Sequence, residues 1–206
     1  MTLPVYVEPN TVQAAFGMDK STGCSPLTVN FTNYSYGTTN IAWCFDWDVA
    51  TNTCNGGGSV NQNPTWTFTQ PGTYTVALLV DNGCGYDTAF QNVTVFPSPV
   101  AVISSNNNVC ANDSVNFISN STTSAGFIAG HLWEFGNGDT SILQNVDYLY
   151  DTSGVYTVTL TVTSSTGCSD STSATINIRP TPEVNFTTQN VCLNDTTFFE
   201  NLTTLS

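Results

Sequence analysis

What this chain of 206 residues lacks above all is positive charge. Two Lys or Arg and one His stand against 15 Asp and Glu, a formal net charge of −13. Two cations cannot neutralise a phosphate backbone, which excludes nucleic-acid binding, and they offer no attraction to anionic lipid. Long hydrophobic runs are missing as well. No apolar stretch approaches the roughly 20 residues a bilayer span requires, so no membrane insertion is expected. The opening MTLPVYVEP has neither a basic region nor a long apolar one and does not read as a signal peptide. No segment keeps a helical period. Apolar material is nonetheless plentiful, with 40% of residues hydrophobic and 12% aromatic, which sets the chain apart from a disordered acidic tail.

The apolar residues recur. CSPLTVNF begins at Cys24, CANDSVNF at Cys110 and CLNDTTFF at Cys192, 86 and 82 residues apart. Each copy has a phenylalanine seven residues on, at Phe31, Phe117 and Phe199, and Trp47 and Trp133 each follow 16 residues after the first two. QPGTYTVALLV around Tyr74 repeats as TSGVYTVTLTV around Tyr156, and Asn82-Gly83-Cys84 as Thr166-Gly167-Cys168. VYVEP, VTVFP and INIRP end at Pro9, Pro97 and Pro180. The spacing predicts the last strand of a preceding repeat over 1–9, complete repeats over 10–97 and 98–180, and the start of a third over 181–206. The joints Phe96-Pro97-Ser98-Pro99 and Arg179-Pro180-Thr181-Pro182 read as stiff spacers, since proline fixes φ.

Within each repeat the pattern has period two. Thr73–Val80 and Val155–Val162 put apolar residues on one face and mostly threonine on the other. Phe45, Trp47 and Val49 alternate with Cys44, Asp46 and Asp48, which predicts aromatics inward and carboxylates outward. Pro71-Gly72, Asn82-Gly83 and Asn137-Gly138 mark turns. Some seven short strands in about 85 residues predict an all-β fold of tandem immunoglobulin-like antiparallel sandwiches.

Seven cysteines fit this frame. Cys24 and Cys110 open the two repeats, and Cys84 and Cys168 occupy matched positions near their ends, so the repeat predicts the bridges Cys24–Cys84 and Cys110–Cys168. Cys44 and Cys54 have no counterpart in the second repeat; bonded to each other they would pin a loop that only the first repeat carries. Cys192 matches the opening cysteine of a third repeat. Zinc is the rival reading, but there is no C-x-x-C pair and only one histidine. Disulfides imply an oxidising, extracytoplasmic location.

Trp133-Glu134-Phe135-Gly136-Asn137-Gly138-Asp139-Thr140-Ser141 resembles the W-D-F-G-D-G-S/T signature of polycystic-kidney-disease (PKD) domains. Tyr150 with Gly154-Val155-Tyr156-Thr157-Val158-Thr159-Leu160 resembles that family's Y-x-x-x-G-x-Y-x-V-x-L segment. In the first repeat Trp47-Asp48-Val49 takes the place of W-D-F, an insertion with Gly56-Gly57-Gly58 replaces the glycine turn, and Gln70–Val76 keeps the later part. The resemblance implies PKD-type, disulfide-stapled sandwiches with Trp47 and Trp133 in the core. The N-V-C-x-N-D openings, Thr/Asn/Ser-rich faces and P-x-P joints are similar to those of the giant repetitive adhesins of gliding Bacteroidetes, the SprB-like proteins. That implies a non-catalytic segment of a secreted cell-surface filament used in adhesion and gliding, with neighbouring repeats as partners. PKD units also occur in secreted hydrolases, which leaves a spacer or polysaccharide-binding module as the alternative.

Residues that point to chemistry are few, and no catalytic residue or cofactor is assigned. His131 lies two residues before Trp133 on the same strand face and reads as a structural histidine. Asp46 and Asp48 form a solvated acidic face rather than a catalytic carboxylate pair. Gly56-Gly57-Gly58 lacks the Lys-Ser/Thr of a phosphate loop and reads as a flexible loop. Asp139 and Asp170 are the oxygen donors a Ca²⁺ would draw on, but there is no D-x-D-x-D-G loop and no metal site is named. Trp43 and Trp66 occur in the first repeat only and are the candidate platforms for stacking on a glycan. The N-x-S/T triplets at Asn30, Asn33, Asn92, Asn112, Asn120, Asn194 and Asn201 follow from an Asn/Thr-rich composition.

Overall fold

The computed structural model describes residues 11–106 and 108–205. Every regular element among them is a β-strand. The chain divides into two compact units between Ser98 and Pro99. The strand expected over 1–9 lies outside the described residues.

The first unit runs through β1 (Phe16–Met18), β2 (Thr22–Cys24), β3 (Leu27–Asn33), β4 (Asn40–Cys44), β5 (Trp47–Asp48), β6 (Thr53–Cys54), β7 (Gly58–Ser59), β8 (Thr65–Phe68), β9 (Gly72–Asp81) and β10 (Tyr86–Phe96). Strands β1-β3-β8 make one sheet and β2-β10-β9-β4-β7 the other; β5 and β6 form a separate small hairpin. Alternation builds the core. In β3, Leu27, Val29 and Phe31 are buried while Thr28, Asn30 and Thr32 are exposed, and they meet Trp43, Phe45, Val76, Leu78, Val80, Val93 and Val95 of the opposite sheet.

The second unit repeats the plan with β11 (Ile103–Ser105), β12 (Asn108–Cys110), β13 (Ser114–Ser119), β14 (Ile128–Glu134), β15 (Thr140–Ser141), β16 (Asn145–Leu149), β17 (Gly154–Ser164) and β18 (Ser169–Arg179). Its sheets are β11-β13-β16 and β12-β18-β17-β14-β15. Val115, Phe117, Trp133, Phe135, Tyr150, Val158, Leu160, Val162, Ile176 and Ile178 fill the core. Tyr74 and Tyr156 each donate to the carbonyl four residues upstream, Gln70 and Thr152, and so fasten the turn before the longest strands. Beyond Arg179, β19 (Pro182–Glu183) pairs with β22 (Thr204–Leu205) and β20 (Phe186–Thr188) with β21 (Phe199–Asn201). Residues 181–204 are exposed throughout and add nothing to either core.

Each unit has an entry end and an exit end. At the entry end a carboxylate at the start of the last long strand holds the incoming backbone. Asp87 accepts from the Ala14 N–H at 2.8 Å, and Asp170 from the Ala101 N–H at 2.8 Å. From there β10 and β18 run the length of their sandwiches. At the exit end each pairs in parallel with a short edge strand, Phe96 opposite Cys24 and Arg179 opposite Cys110. Eleven residues at about 3.3 Å each separate the two ends by roughly 33 Å.

The aromatic run after β4 departs from its expected alternation. β4 stops at Cys44 and the chain turns away before β5, so Phe45 is buried, Trp47 half-buried and Val49 70% exposed. The structural counterpart of Trp133 is therefore Trp43. Trp43 stands opposite Leu78 and Trp133 opposite Leu160, and their ring N–H groups donate to the carbonyls of Asn61 and Leu143 at 3.0 and 2.9 Å. Both are fully or almost fully buried. Trp47, matched to Trp133 by counting from the phenylalanine, belongs instead to the inserted hairpin.

Candidate functional site

Cys44 and Cys54 are bonded to each other across ten positions of chain. The bridge ties the end of β4 to the inserted hairpin, as its uniqueness to the first repeat suggested. The other two expected bridges are absent: Cys84 and Cys110 carry free thiols. The geometry of one unit explains this. Cys24 lies at the exit end beside Phe96, whereas Cys84 sits in the turn before Tyr86 at the entry end. Cys110 and Cys168 repeat that separation across β18. A disulfide needs Cα atoms about 4.4–6.8 Å apart, so a sandwich length of roughly 33 Å forbids both pairs. Matched sequence positions revealed a repeat, not a contact.

The two candidate glycan platforms also fall inside. Trp43 is only 3% exposed, held between Phe16, Phe31 and Phe45, and presents no face to a ligand. Trp66 is partly buried. It stacks on Phe45 with centroids 4.4 Å apart and planes 12° from parallel, the place Tyr148 takes against Phe135 in the second unit. The backbone at Gly57 lies directly against the Trp66 ring, and Gly56 and Gly58 lie close to the Asp46 Cβ and the Trp43 carbonyl. The triple glycine is thus a packed strip, needed so that backbone can approach an aromatic core closely, rather than a flexible loop. Any Cβ at position 57 collides with the indole. Gly57→Val is expected to destabilise the first unit by about 1–3 kcal/mol, as overpacking does. An unchanged urea midpoint, followed by tryptophan fluorescence, would show that the strip yields.

Of the aromatic side chains of this unit that reach solvent, Trp47 and Phe90 lie on the outer face of its five-stranded sheet, whereas the exposed Tyr34 and Tyr36 lie just beyond β3. Cys44, Ala77 and Phe90 form one cross-strand row and Ala42, Leu79 and Thr88 the next. Trp47 packs on Phe90 at 6.1 Å, and β5 covers this part of β9, which buries Cys44 and Ala77 although they point away from the core. Phe90 remains 48% exposed. A shallow cleft adjoins it, lined by Ala42, Leu79, Tyr86 and Thr88 among others. The matching rows of the second unit, Glu134-Thr159-Ser173 and Leu132-Thr161-Ser171, are polar except for Leu132 and carry no aromatic residue. Hydroxyl pairs such as Thr159 with Ser173 and Thr163 with Ser169, both at 2.9 Å, bind its strands side to side. Phe90 was not singled out by sequence, and Trp47 was expected in the core rather than at this surface. The available signal was the W-x-F spelling, present at both 43–45 and 133–135, which frees Trp47 from the core.

The carboxylates act chiefly as acceptors for N–H groups. Asp19 accepts from the backbone and side chain of Asn30 at 2.9 Å each, and these bonds, the backbone one foremost, hold its pKa below the ordinary value. Asp48 accepts from the Ala50 N–H at 2.8 Å and closes the inserted hairpin; hydrogen bonds from the Thr51 side chain and then the Ala50 backbone lower its pKa. Asp46 lies between β4 and β5, so it and Asp48 do not share one strand face. Asp139 accepts from the Tyr148 hydroxyl, and Asn137 donates to that hydroxyl at 2.7 Å, which fastens the glycine turn to β16. Asp170 serves as the entry clamp. Neither has gathered a coordination shell, and among the described residues no three His, Cys, Asp or Glu stand close enough to hold a metal. His131, partly buried on the core side of β14, has its pKa lowered by desolvation, so its ring is neutral at neutral pH.

Against known proteins, residues 9–97 and 96–180 each match the PKD domain family. A microbial collagenase of Vibrio alginolyticus is 41% identical over 71 residues, 34% of this chain and 9% of that protein. A pre-pro-metalloprotease, PrtV, of Vibrio cholerae is 45% identical over 58 residues, 28% of this chain and 6% of that protein. The chain therefore spans less than a tenth of these curated relatives. Among solved structures, the PKD1 domain of the Vibrio cholerae metalloprotease PrtV shares 38% identity, covering 39% of this chain and 96% of the domain with a TM-score of 0.37.

Proposed function

This chain belongs to the PKD domain family and carries two such domains in tandem; from that premise we propose that it is a non-catalytic, length-adding segment of a secreted cell-surface adhesin. The observation that carries this reading is the through-running path of each unit. The chain is clamped at one end of the sandwich by Asp87 or Asp170 and leaves beside Cys24 or Cys110 at the other, roughly 33 Å away. A module entered and left at opposite ends adds its full length to whatever it joins. Outer faces of Thr, Ser and Asn with a net charge of −13 keep such segments soluble and mutually repelling. The proline-bracketed joints restrict bending.

A second reading has its own support. The relatives named above are a collagenase and a metalloprotease, which favours a spacer within a secreted hydrolase. Antibody to this chain separates the two on the source cells. Labelling of intact cells, with no substrate clearing by the captured full-length protein, is expected for the adhesin. Release into the medium together with a gelatin- or polysaccharide-degrading band would replace it with the hydrolase spacer. Retention of the purified chain on insoluble polysaccharide, lost in Trp47→Ala or Phe90→Ala, would add a binding role to either.

A further inference from the structure

The four repeat cysteines fall into two classes by position. Cys24 and Cys110 close an edge strand at the exit end of a sandwich, and Cys84 and Cys168 sit in the hairpin turn at the entry end. No exit cysteine reaches the entry cysteine of its own unit, for want of some 26 Å or more. Yet one of each class, Cys24 and Cys168, is disulfide-bonded, so both kinds of position support the bond. The remaining one of each class, Cys110 and Cys84, is a free thiol.

We propose that Cys84 and Cys110 are complementary halves of a disulfide between repeats of this type, Cys110 bonding the entry-turn cysteine of a following repeat and Cys84 the exit cysteine of a preceding one. For the chain as it stands, a second copy supplies the partner.

Both thiols sit on backbone that local hydrogen bonds hold in place. The Asn82 side-chain oxygen Oδ1 accepts from the Cys84 and Gly85 N–H groups at 3.1 and 3.0 Å, which holds the turn so that the exposed Cys84 stands at its tip. Cys110 ends β12, where Ala111 N–H donates to the Arg179 carbonyl and Asp113 N–H to the Cys110 carbonyl. One of only two basic residues, Arg179, is thus beside Cys110, while the Asp81 carboxylate sits three residues from Cys84 and accepts from the Gly83 N–H.

The bond forms by two exchanges with a small disulfide oxidant such as oxidised glutathione. The Cys110 thiolate attacks one glutathione sulfur and expels a glutathione thiolate. The Cys84 thiolate of the second copy then attacks the Cys110 sulfur of the mixed disulfide and expels the other. Two protein thiols lose two protons and two electrons, and the oxidant's disulfide becomes two thiols.

The test uses Cys192→Ser chains, so that the exposed thiol of Cys192 takes no part. Oxidation with oxidised glutathione is expected to give a ladder of covalent oligomers on non-reducing gels, with chymotryptic peptides joining Cys84 to Cys110. Adding Cys84→Ser or Cys110→Ser should abolish the ladder. Mixing those two variants should restore a single covalent dimer, joined through Cys110 of the first and Cys84 of the second. A ladder surviving in either variant, predominant Cys84–Cys84 or Cys110–Cys110 links, or thiols that stay alkylatable after oxidation would overturn the proposal. Alkylating the native protein before oxidation gives the same reading without relying on any substitution.

Discussion

Replacing Trp43 or Trp133 with alanine is expected to remove about 3–5 kcal/mol from the unit concerned, the range for a fully buried large aromatic. Both are buried to within 3% of their surface. Each also leaves a carbonyl behind, of Asn61 or Leu143, that loses the indole donor. Since a domain of this size holds only about 5–15 kcal/mol in total, the affected unit should melt early or fail to fold. The effect should be confined, because each tryptophan belongs to a separate core. Calorimetry should show one transition displaced and the other in place. Trp47→Ala provides the contrast: its ring is half-exposed over Ala77 and Phe90, and a much smaller loss is expected. If Trp43→Ala left stability unchanged while Trp47→Ala abolished it, the assignment of Trp43 as the counterpart of Trp133 would be wrong.

Breaking the Cys44–Cys54 bridge should lower the first unit by somewhat under 3 kcal/mol. That is the chain-entropy value for closing a loop of about eleven residues. For a domain of under 100 residues this corresponds to a fall of roughly 10–20 °C in Tm. The double variant Cys44→Ala/Cys54→Ala is the cleaner probe. Cys44 is buried and apolar in its surroundings, so alanine leaves no stranded polar group. The second unit has no equivalent hairpin, and its transition should not move. A first-unit transition that stays within a degree of the wild type would mean that Trp47 and the glycine strip, rather than the bridge, hold the hairpin down.

Much of the fold could be read from local pattern. The threonine-and-apolar alternation of β9 and β17 dictates which face is buried, because side chains on a strand point alternately to its two sides. The matched Cys, Phe and Tyr positions locate equivalent strands in the two units. Residue spacing misplaces the core tryptophan of the first unit, whereas the W-x-F spelling locates it. Twelve positions separate Phe31 from Trp43 and sixteen separate Phe117 from Trp133. Between that tryptophan and the next shared tyrosine the first unit carries eight more positions than the second, the length of the Trp47–Cys54 hairpin. Two length changes of opposite sign brought Trp47 into register with Trp133 by coincidence. The glycine strip was missed for a related reason, since nothing local to Gly57 announces an indole nine residues on.

From composition, periodicity and repeat alone came the all-β class, the tandem arrangement and the local Cys44–Cys54 link. All of these depend on which side chains occur and at what short intervals. Which cysteines lie within bonding reach, which tryptophan fills the core and which aromatics remain in water were decided by tertiary structure. Those are questions of distance across a sandwich roughly 33 Å long, and positions some sixty residues apart in the chain carry no record of whether they meet at the same end of it.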